Sequence, residues 1–177
     1  MLDSLKYEVL IKQHKNVIYN YALYMLKNQM DADDVTQEVF IRIWKNIDCF
    51  NFKAAKSWIM KTTHNLCIDY LRKQSVAIKR ETNLDPEMDN YNSNLKTLTD
   101  TEITFRKNII KNKIKHCIDE LPENLKSVFV LYELQGFKYH EISESLSMPL
   151  NTVKVYLMRA RKKLQEDLKE FKNERLQ

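Results

Sequence analysis

Apolar positions return at helical spacing along most of this chain, and nowhere more regularly than in residues 139–164, which read YHEISESLSMPLNTVKVYLMRARKKL. There Val153, Leu157, Ala160 and Leu164 fall at i, i+4, i+7 and i+11, one stripe of an α-helix. Ile142 and Leu146, just upstream, are placed to meet that stripe. Ser147, Met148 and Pro149 separate the two segments. Ser is a good N-cap, and Pro suits the first turn of a helix rather than its middle. Opposite the stripe lie Lys154, Val155, Met158, Arg159 and Lys162, with Thr152 in the first turn. A short corner leading into an amphipathic helix with a basic outer face meets the needs of a helix-turn-helix, whose second helix lies in the major groove. A solvated helix on a bundle would show the same periodicity.

The same period organises the rest. Residues 5–27 form a first helix whose inward positions are Val9, Leu10, Val17, Ile18, Tyr21, Ala22 and Met25. His14 marks the edge of that face and reads as a boundary residue rather than a ligand. After a break at 28–30, residues 31–47 form a second helix with Val35, Val39, Ile43 and Ile47 inward and Phe40 and Trp44 beside them. Asp31 can cap it, and Asp33 and Asp34 suit the positive end of the helix dipole. Asp34, Gln37, Glu38 and Arg42 lie elsewhere around this helix, as a solvated face or a docking face for a partner. Residues 48–56, DCFNFKAAK, read as a loop whose Phe50 and Phe52 flank Asn51. Such aromatics fold back onto a core or stack on an unpaired base. Residues 57–73 form a third helix with Trp58, Ile59, Thr62, Leu66 and Tyr70 packed. Asn65, Asp69, Arg72 and Lys73 occupy another side, where such residues serve either solvation or contact with bases and phosphates.

Residues 74–100 are polar, acidic and weakly periodic, as expected of a flexible linker. Helical pattern resumes at 101–120 with Ile103, Ile110, Ile114, Cys117 and Ile118 inward. A further helix opens at Pro122 and packs through Leu125, Val128, Phe129 and Tyr132. Gly136, the only glycine, falls where a helix end needs a left-handed residue. The expectation is an all-α chain: a small helical domain at 1–74, a linker at 75–100, and a second small domain at 101–177 that carries the helix-turn-helix.

Composition adds limits rather than detail. One glycine and three prolines in 177 residues leave the helices uninterrupted. A net charge of +5 suits one basic surface beside acidic ones better than a uniformly basic coat. Cys49, Cys67 and Cys117 are odd in number and widely spaced, which fits a reducing, cytoplasmic setting. His64 and Cys67 have ligand-like spacing but no second pair, so no metal or other cofactor is expected. Charges run through the N-terminal segment, and no apolar run is long enough to span a bilayer, so neither a signal peptide nor membrane insertion is expected. No nucleophile stands at recognisable spacing from a base, and there is no Gly-rich phosphate loop; an enzyme is not expected.

Two separated blocks resemble a known family. DADDVTQEVFIRIWKNI with SWIMKTTHNLCIDYLRK is similar to the second region of the small extracytoplasmic-function (ECF) group of bacterial sigma-70 RNA polymerase sigma factors. IDELPENLKSVFVLYELQGFKYHEISESL with MPLNTVKVYLMRARKKL is similar to the fourth region. The resemblance implies a transcription initiation subunit that joins core RNA polymerase and assists promoter melting. Asp34, Gln37, Glu38 and Arg42 match the helix that binds the β′ clamp helices. Residues 47–56, with Phe50, Asn51 and Phe52, match the loop that holds a flipped minus-ten base. Asn65, Asp69, Arg72 and Lys73 match the helix that meets minus-ten DNA. Lys154, Val155, Met158 and Arg159 match base-facing positions over the minus-thirty-five element, flanked by Thr152 and Lys162. The fourth region also implies contact with the β flap, and the family implies a cognate anti-sigma factor. Val155 and Met158 depart from hydrogen-bonding readers and offer apolar contact instead. A DNA-binding regulator independent of polymerase, or a helical nuclease or recombinase, would share the helix-turn-helix or the clustered acids but not both blocks.

Overall fold

A computed structural model describes residues 2–49, 51–52, 54–81 and 101–174, with side chains at 3–48, 51–52, 54–77 and 108–169. The described chain is helical, with no strand. The helices are α1 (Leu2–Leu26), α2 (Gln29–Lys45), α3 (Ala55–Glu81), α4 (Thr101–Asp119), α5 (Glu123–Phe129), α6 (Tyr139–Leu146) and α7 (Leu150–Glu174).

α1, α2 and α3 pack around Leu10, Ile18, Ala22, Val35, Val39, Ile43 and Ile59, all buried. The α2 stripe expected from the sequence is therefore the buried one. Its cap is different: Asn28, not Asp31, precedes the first turn, and its Oδ1 accepts from the amides of Met30 at 2.8 Å and Asp31 at 3.2 Å. Asn is as good an N-cap as Asp, and its extended backbone places it one turn earlier. Val9, expected inward, is 43% exposed. α3 departs most from expectation. Its buried positions are Ala55, Ile59, Met60, Thr63 and Cys67, while Trp58, Thr62, Leu66 and Tyr70 are half-buried. The reason is that α3 meets α1 and α2 on one side and α6 on the other, so its buried arc is wider than one stripe. It also continues to Glu81, through the first residues assigned to the linker; residues 82–100 of that segment lie outside the described residues.

In the second half, α5 and α7 pack closely, with α4 and α6 also against α7. Val153, Leu157, Ala160 and Leu164 are buried, as are Ile142 and Leu146. Cys117 and Ile118 are buried too, but Ile110 and Ile114 are 49% and 40% exposed, contrary to expectation. Ile103 lies outside the described side chains. A π-helical stretch, Val130–Leu134, continues α5 and closes with the Gln135 amide donating to the Val130 carbonyl at 3.0 Å. Val128 is buried as expected, but the other buried positions are Val130 and Leu131, while Leu125, Phe129 and Tyr132 are half-buried. Gly136 then takes φ +69°, the left-handed conformation that costs glycine least.

Candidate nucleic-acid and polymerase interfaces

The helix-turn-helix corner is built differently from the sequence expectation. Ser147 does not cap α7; it ends α6 at φ +53°, a left-handed residue. The Ser147 amide donates to the Glu144 carbonyl at 3.3 Å and the Met148 amide to that of Ser143 at 3.1 Å, satisfying orphan carbonyls of α6. The Ser143 hydroxyl donates to the Met148 carbonyl at 2.6 Å, which pins the corner. Pro149 sits just before α7, where its missing N–H costs nothing, and its carbonyl receives the Val153 amide.

With its stripe buried, α7 turns Lys154, Val155, Met158, Arg159 and Lys162 to solvent, and leaves Thr152 half-buried at the edge. Met158 is 62% exposed, high for an apolar side chain beside a packed core. Asn151 was not singled out in the sequence. It is exposed one turn before Val155 and two before Arg159, on the same face, and an Asn there can pair two-fold with adenine. Its position at i−4 from Val155 was the available signal. Arg161 belongs elsewhere: its guanidinium bonds Glu133 at 2.6 and 2.7 Å and lies over the Tyr132 ring. Tyr132 in turn stacks on Tyr139 with ring centroids 4.9 Å apart.

On α3, Asn65, Asp69, Arg72 and Lys73 share one exposed face, with Arg72 and Asp69 3.5 Å apart. Lys61, exposed one turn before Asn65, extends it and was missed because its spacing suits a solvated residue equally well. Asn51 and Phe52 are exposed on the turn that leads into α3, whose Ala54 amide donates to the Asn51 carbonyl at 3.0 Å. Phe50 lies outside the described residues.

On α2, Asp34, Gln37 and Arg42 are exposed and Glu38 half-buried, all opposite the buried stripe. Arg42 Nε donates to Glu38 at 2.8 Å. Ile41 and Trp44 join the same face, and Tyr7 of α1 meets the Trp44 ring edge-on at 5.0 Å. This combination of ion pair and exposed aromatic offers both steering charge and an apolar anchor.

Two groups of titratable residues lie apart from these faces. His64 Nδ1 and the Tyr21 hydroxyl are 2.8 Å apart. Burial lowers the His64 pKa to about 4 and so keeps the ring neutral. Burial pushes the Cys67 thiol up to about 12, against the weaker pull of its backbone hydrogen bond. No cluster of three metal-ligating side chains occurs among the described residues, and none of the described helices is long and apolar enough to cross a membrane.

Comparison with known proteins places both halves. Sigma-70 region 2 matches residues 10–76, and Sigma-70, region 4 matches residues 111–164. The ECF RNA polymerase sigma factor SigW of Bacillus subtilis is 30% identical over 165 residues, covering 89% of this chain and 86% of SigW. The ECF RNA polymerase sigma factor SigE of Mycolicibacterium smegmatis is 25% identical over 97% of this chain, which spans 65% of that relative's length. Among solved structures, the sigma factor RpoE of Bartonella quintana, bound to the anti-sigma factor NepR, shares the fold with a TM-score of 0.70 at 19% identity, covering 90% of this chain and 94% of RpoE.

Proposed function

The chain belongs to the ECF group of sigma-70 RNA polymerase sigma factors, and on that premise we propose that it is a promoter-specific transcription initiation factor. It joins core RNA polymerase through the exposed face of α2, with Asp34, Gln37, Glu38 and Arg42 against the β′ clamp helices. It captures the minus-ten element with the α3 face and the turn that holds Asn51 and Phe52. The outer face of α7 reads the minus-thirty-five duplex, and the second half contacts the β flap. The protein works in the cytoplasm and supplies no catalytic step, and an anti-sigma factor holds it inactive until needed.

The observation that carries this reading is the presence, in one chain, of two separate exposed faces suited to nucleic acid, each on a region of the matching family. The physical logic follows. Each face alone makes a modest contact, and polymerase fixes their separation, so engaging one raises the effective concentration of the other. Melting is coupled to recognition, because extruding a base costs a few kcal/mol that a pocket and stacking must offset. Transcription by purified core polymerase over a genomic fragment library, with and without this protein, tests it. New start sites that share two spaced upstream elements are expected. A protein that shifts duplex DNA alone but adds no start sites would be an independent regulator instead.

A further inference from the structure

The outer face of α7 has an apolar centre. At 3.6 residues per turn, Asn151, Val155, Met158 and Lys162 fall within about 60° of one another around the helix, with Lys154 on one margin and Arg159 on the other. Val155 and Met158 are 38% and 62% exposed, and three positions apart they are neighbours on the helix surface. Neither belongs to the core or to the half-buried side chains packed against it. The charge around them has one sign. No acidic residue occurs from Leu150 to Leu164. Lys154, Arg159 and Lys162 frame the pair, Lys162 lying a loose 3.9 Å from Glu166 one turn on. This complements a polyanion that carries a small apolar feature of its own. The major groove of duplex DNA is such a surface, with phosphates along its rims and the C5-methyl group of thymine on its floor.

We propose that Val155 and Met158 form a reader for the C5-methyl group of a pyrimidine, thymine or 5-methylcytosine, and that this methyl sets specificity at the centre of the site. This role rests on the proposed reading of α7 as the face that meets duplex DNA, and it names what that face selects. The branched Cβ of valine leaves essentially one rotamer in a helix, so Val155 presents its own methyls at a fixed place. The unbranched thioether of Met158 adapts around whatever sits beside them. Over an unmethylated G·C pair the two side chains displace water from base-edge donors and acceptors and return no hydrogen bond, which is unfavourable. Over a methyl they bury apolar surface instead. Asn151, one turn earlier, supplies the polar contact, a two-fold pairing with adenine. One helical turn is about 5.4 Å and one base step about 3.4 Å, so adenine is expected one or two steps from the methyl. Thymine and 5-methylcytosine carry the methyl on the same ring carbon, so methylating a cytosine at that position is expected to turn a poor site into a good one.

The full chain with core polymerase, on an upstream element taken from the transcription library, tests the reader. Each thymine of the element is replaced in turn by deoxyuridine, which keeps the base pair and lacks only the methyl. At limiting protein, one or two positions are expected to lose about fourfold in initiation, equivalent to one methyl-sized group left unburied. The double variant Val155→Ala with Met158→Ala is expected to keep the wild-type circular dichroism and melting, to initiate less well, and to treat thymine and deoxyuridine alike. At each sensitive position a C·G pair is then compared with the same pair carrying 5-methylcytosine. A gain of similar size shows that the methyl is read on either base, and no gain restricts the ligand to thymine. Deoxyuridine tolerated at every position by the wild type would overturn the proposal, as would equal sensitivity in wild type and double variant. If no fragment supports initiation, the library made with thymine and with deoxyuridine is titrated with the chain alone. Methyl-dependent binding there sinks the initiation reading and leaves the methyl reader standing, whereas methyl-blind or absent binding removes both.

Discussion

At the scale of single residues, Arg159 and Arg161 are two positions apart and do different work. Arg159 is exposed on the outer face of α7, whereas Arg161 is tied to Glu133 and Tyr132. Arg159→Ala is expected to weaken minus-thirty-five-dependent promoter binding by roughly 1–3 kcal/mol, the range for a base-reading contact. Arg161→Ala is expected to leave promoter choice unchanged and cost a few tenths of a kcal/mol in stability, because an exposed ion pair is strongly screened. Transcription from matched and mismatched templates, beside thermal melts, separates the two. His64 makes a pH prediction. Its ring takes a proton below about 6.5 in the unfolded chain but only near 4 in the native one. The unfolded state binds more protons in that window, so stability is level above pH 6.5 and falls as pH drops from 6.5 towards 4. Urea titrations across that range check it, and a His64→Gln variant should flatten the slope. The buried, high-pKa Cys67 is expected to resist alkylation at neutral pH until the protein unfolds.

At the scale of elements, the chain's local grammar was readable wherever one helix face alone is buried. The α2 and α7 stripes followed from spacing, because each helix has one packed side. α3 and α4 did not. Periodicity reports that a face is apolar but not how many neighbours a helix has, and α3 has them on two sides while Ile110 and Ile114 of α4 are left half-exposed. The π turn at Val130–Leu134 has no sequence signature of its own, and within it Val130 and Leu131 are buried rather than Tyr132. The caps give the measurable case. Asn28→Ala removes the acceptor for two amides and is expected to cost about 1 kcal/mol. Asp31→Ala leaves that cap in place and should cost less; denaturant midpoints of the two variants decide which residue starts α2.

At the scale of the molecule, the faces proposed for polymerase, minus-ten DNA and minus-thirty-five DNA sit on three different helices. Replacing Asp34 and Gln37 together by Ala is expected to lower affinity for core polymerase while circular dichroism and melting stay as in the wild type. Wild-type retention in a pull-down would remove α2 from the interface. The candidate faces were legible because exposure follows once the buried stripe is known. The packing of the two halves was not, since it depends on pairs such as Lys56 and Glu141, 85 positions apart, that no local pattern links. One further property follows from α7. The residues that hold it in place, Val153, Leu157, Ala160 and Leu164, and those it shows to solvent, Asn151, Val155, Met158, Arg159 and Lys162, have no member in common. On the proposed reading of the outer face, inheritance can therefore rewrite one list without disturbing the other, and descendants of this chain can drift from one set of target genes to another while the molecule itself stays the same machine.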